Sequence, residues 1–263
     1  MSDPRIPPAD QSEDRALRAE GSLGYVHSEE NASAVDGPGL RYVVWLMGCH
    51  LRCQYCHNPD TWRLPPSGAR STADEVLRRV EKYKPFLATA GGGFTVSGGE
   101  PLVQAPFALQ LLRGAKRLGL HTALDTNGYL GDSLSDGELA EIDLVLLDLK
   151  AFDAHQHRQV TGAGNEPILN FAKRLADLGR PAWVRYVLAP GLTDGTDDIA
   201  RLAEFVATLA NVERVEVLPF HQMGRNKWAE LGLDYPLANT AAATTDEADR
   251  ARDLFRRSGC AVA

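Results

Sequence analysis

Leu40-Arg41-Tyr42-Val43-Val44-Trp45-Leu46-Met47-Gly48-Cys49-His50-Leu51-Arg52-Cys53-Gln54-Tyr55-Cys56-His57 carries both the first strand of the fold and the first candidate site. Residues 40–47 are rich in β-branched and aromatic side chains. They lie between Asp36-Gly37-Pro38-Gly39 and Gly48, so they predict a buried strand with turns at both ends. Residues 49–56 crowd three of the chain's four cysteines into a C-x3-C-x2-C run, while Cys260 stands far away. A structural zinc site closes a tetrahedron with four ligands, so a zinc-binding adaptor has to borrow His50 or His57. Three soft thiolates that leave one metal position open suggest instead a 4Fe–4S cluster, one of whose irons binds something other than protein.

Comparable apolar stretches end near Ser97 (Phe94-Thr95-Val96), Asp125 (Thr122-Ala123-Leu124), Asp148 (Leu144-Val145-Leu146-Leu147), Val187 (Trp183-Val184-Arg185-Tyr186) and Leu218 (Val215-Glu216-Val217). Six strands are expected. Amphipathic helical patterns separate them over residues 72–83, 106–118, 135–141, 168–178 and 197–209. Repeated strand–helix units with right-handed crossovers predict a parallel sheet. Six units fall short of a closed eight-strand barrel. The expected architecture is therefore α/β: a partial (β/α)6 barrel, laterally open, over residues 21–263. Residues 1–20, with Pro4, Pro7, Pro8 and many charges, are expected to be a disordered N-terminal extension.

A formal net charge of −7 with no Lys/Arg cluster argues against a nucleic-acid partner. No apolar run approaches the roughly 20 residues that cross a bilayer, and no signal peptide opens the chain, so a cytoplasmic protein without a membrane partner is expected. Crowded free thiols fit a reducing compartment.

In a parallel barrel, function gathers where strands end. Those positions here hold Cys49-His50, Ser97-Gly98-Gly99-Glu100, Asp125-Thr126-Asn127-Gly128, Asp148-Leu149-Lys150 and Leu218-Pro219-Phe220-His221. Gly98 and Gly99 let the backbone approach a ligand, or simply make a tight turn. Asp125 and Asp148 place two carboxylates on one rim, able to hold a hard cation, take a proton or cap a helix. Lys150 is a rim cation or a solvated edge charge. His221 is a ligand contact or a structural histidine. Asp36 begins a turn. His27, His121, His155, His157 and Cys260 are read as structural.

The C-x3-C-x2-C run, with Tyr55 and His57 flanking its third cysteine, resembles the glycyl-radical activating enzymes of the radical S-adenosylmethionine superfamily. Ser97-Gly98-Gly99-Glu100-Pro101, Leu124-Asp125-Thr126-Asn127-Gly128, Asp148-Leu149-Lys150 and Asp36-Gly37-Pro38-Gly39 resemble further elements of that family. So do Val184-Arg185-Tyr186-Val187-Leu188-Ala189-Pro190-Gly191 and the stretch from Leu218 to Trp228. The resemblance runs from about Tyr25 to Ala263 and implies the partial barrel. It implies that Cys49, Cys53 and Cys56 hold a 4Fe–4S cluster whose open iron chelates S-adenosylmethionine. Reductive cleavage then yields methionine and a 5′-deoxyadenosyl radical that takes a hydrogen atom from a partner's glycine.

By the same resemblance Tyr55, His57, Gly99, Asp148, Leu149, Lys150 and His221 contact the cofactor, and Arg185 is a weaker candidate. Asp125, Thr126, the Leu146 carbonyl and Asp148 bind a monovalent cation, and Asp36 holds the partner's peptide. Leu146 stands where the family can have methionine. No cysteine lies between Cys56 and Ser97, so the ferredoxin-like insert of many such activases is absent. The implied partner is accordingly pyruvate formate-lyase, with a flavodoxin or ferredoxin as electron donor. A different glycyl-radical partner, such as a 2-ketobutyrate formate-lyase, or a small-molecule substrate stays open.

Overall fold

A computed structural model of the chain describes residues 11–64 and 70–263. Strands β1 (Leu23–Ser33), β2 (Arg41–Leu46), β3 (Arg70–Thr72), β4 (Gly93–Gly98), β5 (His121–Thr126), β6 (Leu144–Asp148), β7 (Ala182–Leu188) and β8 (Val212–Pro219) form one sheet in the order β3-β1-β2-β4-β5-β6-β7-β8. From β2 to β8 every pairing is parallel. The edge strands β3 and β8 do not pair, so the barrel is open on one side. These six parallel strands are the six expected ones. Two antiparallel strands were not expected: β1 pairs with both β2 and β3. Past Val26, β1 reads His27-Ser28-Glu29-Glu30-Asn31, which is poor in strand formers, and β3 has only three residues.

Of the extension expected over residues 1–20, residues 1–10 lie outside the described residues. Gln11–Ala19 form helix α1, which packs on β1 and on the helix after β4. Leu17 and Arg18 are half-buried, and the Arg18 guanidinium sits 5.8 Å from the Tyr25 ring centre. The segment thus carries more apolar contact than its composition suggested.

Between the strands lie α2 (Ala73–Thr89), α3 (Ala105–Arg117), α4 (Asp136–Ala140), α5 (Ala154–Thr161), α6 (Glu166–Asp177) and α7 (Thr196–Ala207); α8 (Arg225–Glu230) and α9 (Thr245–Arg257) come after β8. Capping boxes start α2 (Thr72 with Glu75), α4 (Ser135 with Glu138) and α9 (Thr244 with Glu247), each satisfying orphan amides in both directions. The buried stripes Ile168, Phe171, Ala172, Leu175 of α6 and Ile199, Leu202, Ala203, Val206 of α7 recur at helical spacing and cover the outer face of the sheet.

Strand alternation then decides what the inner face carries. Phe94, Val96, Leu124, Val145, Leu147, Val184 and Tyr186 point out into the main core. Their neighbours Trp45, Ser97, Asp125, Asp148 and Arg185 line an inner cavity. Below it, Ala123, Leu144, Leu146 and Trp183 form a small apolar plug. No helix among the described residues is long and apolar enough to cross a membrane.

Candidate active site

The cysteine loop leaves β2 through Gly48, whose φ of +96° lies in the left-handed region. Main-chain bonds from Gly48 N to Thr61 O (2.6 Å) and Cys49 N to Trp62 O (3.1 Å) tie its start to its end. Carbonyls at the end of α5 hold its middle: Thr161 O accepts from Arg52 N at 2.7 Å and Val160 O from Gln54 N at 2.9 Å. Orphan carbonyls at a helix end need donors, so both sides gain. Helix α5 itself lay outside the expected elements.

Cys49, Cys53 and Cys56 are free, partly buried, and line one cavity of about 540 Å³. That volume falls within the roughly 300–1,000 Å³ of small-molecule sites. Burial pushes the Cys49 thiol up to about 12 and the Cys53 thiol up to about 11, and Cys56 moves the same way. Without a cation the thiols stay neutral; coordination to iron deprotonates them. Among the described residues no three His, Cys, Asp or Glu side chains converge on a single-ion site. Two buried polar atoms beside the thiols, Tyr55 Oη and His221 Nδ1, have no protein partner. Soft donors, volume and unpartnered polar atoms together fit a cluster with a polar small molecule beside it.

Gly98 and Gly99 open the turn after β4 and also line the cavity. A methyl group on Gly99 would lie 2.5 Å from Gly48 O and 3.0 Å from Cys49 Cβ, so only glycine lets this turn meet the cysteine loop. Asn127 Nδ2 approaches Cys49 Sγ at 3.9 Å. Behind it the buried Glu100 carboxylate accepts from Leu102 N (3.0 Å), Thr126 Oγ1 (2.7 Å) and Asn127 N (2.8 Å). Burial pushes Glu100 up to about 7 against those bonds.

Asp148 and Lys150 pair at 2.8 Å, and the ammonium sits 5.7 Å from the Tyr55 ring centre. Burial works against the Lys150 charge, yet Asp148 and its neighbours hold the group well above its ordinary value. Arg185 Nη1 lies 3.1 Å from Asp125 and 3.9 Å from Asp36, and its Nε lies 3.8 Å from Glu216. Ser97 Oγ donates to Asp125 at 2.7 Å. Burial pushes Asp125 up to about 6, with Arg185 opposing. His57 and His221 stack with ring centres 4.4 Å apart, and His57 Nε2 donates to His221 O at 3.3 Å. Burial, then the neighbouring His221, lowers the basicity of His57.

Most of the expected site residues therefore meet in one cavity. Three side chains do not line it: Thr126 turns its hydroxyl to Glu100, Leu146 joins the apolar plug, and Leu149 is in the main core. Trp45, Ser97, Glu100 and Asn127 were not singled out individually. Period-two alternation on strands β2 and β4 was the signal for the first two. Nothing local announced the long-range Glu100 bonds.

The Radical SAM superfamily model matches residues 43–206. The pyruvate formate-lyase-activating enzyme of Staphylococcus epidermidis is 46% identical over 222 residues, covering 82% of this chain and 88% of that one. Its counterpart in Staphylococcus aureus strain USA300 is 46% identical over 234 residues, covering 87% and 93%. A crystal structure of a domain of pyruvate-formate lyase-activating enzyme from Bacteroides vulgatus superposes with a TM-score of 0.55 at 25% identity, covering 66% of this chain and 98% of that one. By this match and these identities the chain belongs to the radical SAM superfamily and, within it, to the pyruvate formate-lyase-activating enzymes, which work with a 4Fe–4S cluster and S-adenosylmethionine.

Proposed function

We propose that this chain activates pyruvate formate-lyase by generating a glycyl radical on it, with Cys49, Cys53 and Cys56 holding the cluster. The observation that carries the reading is the convergence of the three thiols, Gly99, Asp148 and Lys150 on one cavity at the carboxyl ends of the parallel strands. Cluster and S-adenosylmethionine, when bound, supply a one-electron reductive cleavage and a hydrogen-atom abstraction.

The protein's part is orientation and exclusion of water. With the amides of Gly99 and Glu100 already bonded, the turn would offer main-chain carbonyls to the amino group of the methionyl end, and Gly99 leaves room beside Cys49. Lys150, held by Asp148, would bind the carboxylate and ribose. Tyr55, His57 and His221 form the wall for the ribose and adenine, with His221 Nδ1 free to bond. Asp125 and Asp148, with Thr126 and the Leu146 carbonyl, take a monovalent cation. This asks Arg185 to share Asp125 and Thr126 to share its oxygen with Glu100. Asp36, buried in the same cavity beside Arg185, holds the partner's backbone. A flavodoxin or ferredoxin in the cytoplasm supplies the electron. Residues 21–263 act as one catalytic unit.

The test is anaerobic reconstitution. The parent should take up about four irons and four sulfides per chain and, with S-adenosylmethionine and a reductant, produce a glycyl radical on pyruvate formate-lyase visible by electron paramagnetic resonance. Cys49→Ala that still cleaves S-adenosylmethionine reductively would refute the assignment. A radical on a different glycyl-radical enzyme only would change the partner.

A further inference from the structure

The segment after β8 grips the cysteine loop at residues 56–60, beyond the residues 52–54 that α5 holds. Trp228, buried, donates its indole N–H to the Cys56 carbonyl at 2.8 Å. Its ring packs edge-on against Trp62 (centres 5.1 Å apart, planes at 88°) and at a tilt of 40° against Tyr235 (5.1 Å). Lys227 reaches Asn58 Oδ1 at 2.8 Å and Asp60 at 3.0 Å, and Asp60 in turn meets His27 of β1 at 2.8 Å. Gly224 has ordinary helical dihedrals, so alanine there carries no backbone strain. A methyl group at that position would nonetheless lie 2.7 Å from His57 Cα and 3.0 Å from the Cys56 carbonyl oxygen. The contacts run from the loop after β8 to residues 56–62 and β1. They therefore link two sides of the sheet that share no main-chain pairing.

We propose that Trp228, backed by Gly224 and Lys227, is a positioning residue for the cluster-bearing loop: it fixes Cys56, His57 and Asn58 against the far side of the open barrel and so sets how the third thiol and His57 face S-adenosylmethionine. The inference rests on the assignment of Cys56 as a cluster ligand. The indole bond is suited to the task because a main-chain carbonyl, unlike a side chain, reports the path of the loop itself. Aromatic packing alone would hold the segment together without specifying that path.

The experiment uses the full chain, reconstituted anaerobically, in three variants. Trp228→Phe keeps the aromatic contacts and removes the donor. Gly224→Ala presses directly on the loop. Leu233→Ala, at an exposed site in the same segment, is the control. Thermal unfolding, iron per chain, the rate of iron extraction by a chelator, and the electron paramagnetic resonance spectrum of the reduced cluster before and after S-adenosylmethionine are measured. Trp228→Phe is expected to melt within about 4 °C of the parent, the cost of one hydrogen bond in a chain of this size, and to load about four irons. It should lose them about fivefold faster, the size of one hydrogen bond, and show a weakened spectral response to S-adenosylmethionine. Gly224→Ala should do the same more strongly, and it carries the test if Trp228→Phe does not fold.

Parent-like extraction and spectra in both variants overturn the proposal. So does a lowered melting temperature with parent-like iron extraction and spectra, which would make the contact merely structural. If Cys56→Ala itself keeps the parent's iron and spectral response, the ligand assignment fails instead.

Discussion

Glu100 sets burial and hydrogen bonding against each other more sharply than its neighbours do. Three donors favour its ionised form, yet burial outweighs them and lifts it to about 7 from 4.5. The folded state thus holds this proton more tightly than the unfolded one, and the group's contribution to stability declines as pH rises from about 4.5 to 7. Glu100→Gln cannot accept at its amide nitrogen, leaving one donor facing another. The variant should lose about 1–3 kcal/mol at pH 5. Urea titrations across the range should show the deficit narrowing toward pH 7, and a deficit that widens would contradict the sign. Gly99→Ala, whose methyl would press on Gly48 and Cys49, should cut iron loading and S-adenosylmethionine affinity while the secondary structure by circular dichroism stays intact. Gly99 could be read from its place after a strand. The partners of Glu100 could not, because Thr126 and Asn127 meet it only once β4 and β5 lie side by side.

Strands and helices with strong periodicity were legible: all six parallel strands and five helices fall where apolar spacing placed them, although α2 runs on to Thr89, past its expected end at residue 83. The elements not foreseen divide by cause. Helix α9 carried a readable signal, since Thr244-Thr245-Asp246-Glu247 precedes Ala248, Ala251 and Phe255 at helical spacing. Strand β1 gave a weak one, because its polar half faces outward beyond the reach of β3. It matters at this scale through His27, which meets Asp60 together with Lys227. Burial alone would raise Asp60, but the bonds to Lys227 and His27 win and hold it below 3.8. Its stabilising contribution is therefore present above pH 3.8 and fades as pH falls through the lower folded value. Asp60→Asn should melt at a lower temperature than the parent at pH 7, with the gap closing in acid below pH 4. A gap independent of pH would mean that the ion pair plays no part.

At the scale of the whole molecule, an open sheet has two edges, and a row of unpaired amides and carbonyls invites pairing with another chain. The β3 edge is only three residues long, which is one natural defence. The β8 edge is longer and is met by the last residues of the chain. Val215 N donates to Ala261 O at 2.8 Å, Ala263 N donates to Val215 O at 3.0 Å, and Val215 bridges Val262 in parallel. The partial barrel itself was legible because six apolar stretches alternate with amphipathic helical patterns, the rhythm of repeated strand–helix units. This edge cover was not, since Ala261-Val262-Ala263 is too short to read as a strand and acts only when α9 brings it alongside β8. Removing residues 261–263 deletes two main-chain hydrogen bonds, so stability should fall by about 1–3 kcal/mol. The exposed edge should also make association depend on protein concentration, visible by sedimentation velocity as a second, faster species. Because these residues lie away from the cavity, iron loading by the monomer should match the parent; a truncated chain that stays monomeric with parent-like stability would show that α9 alone protects the edge.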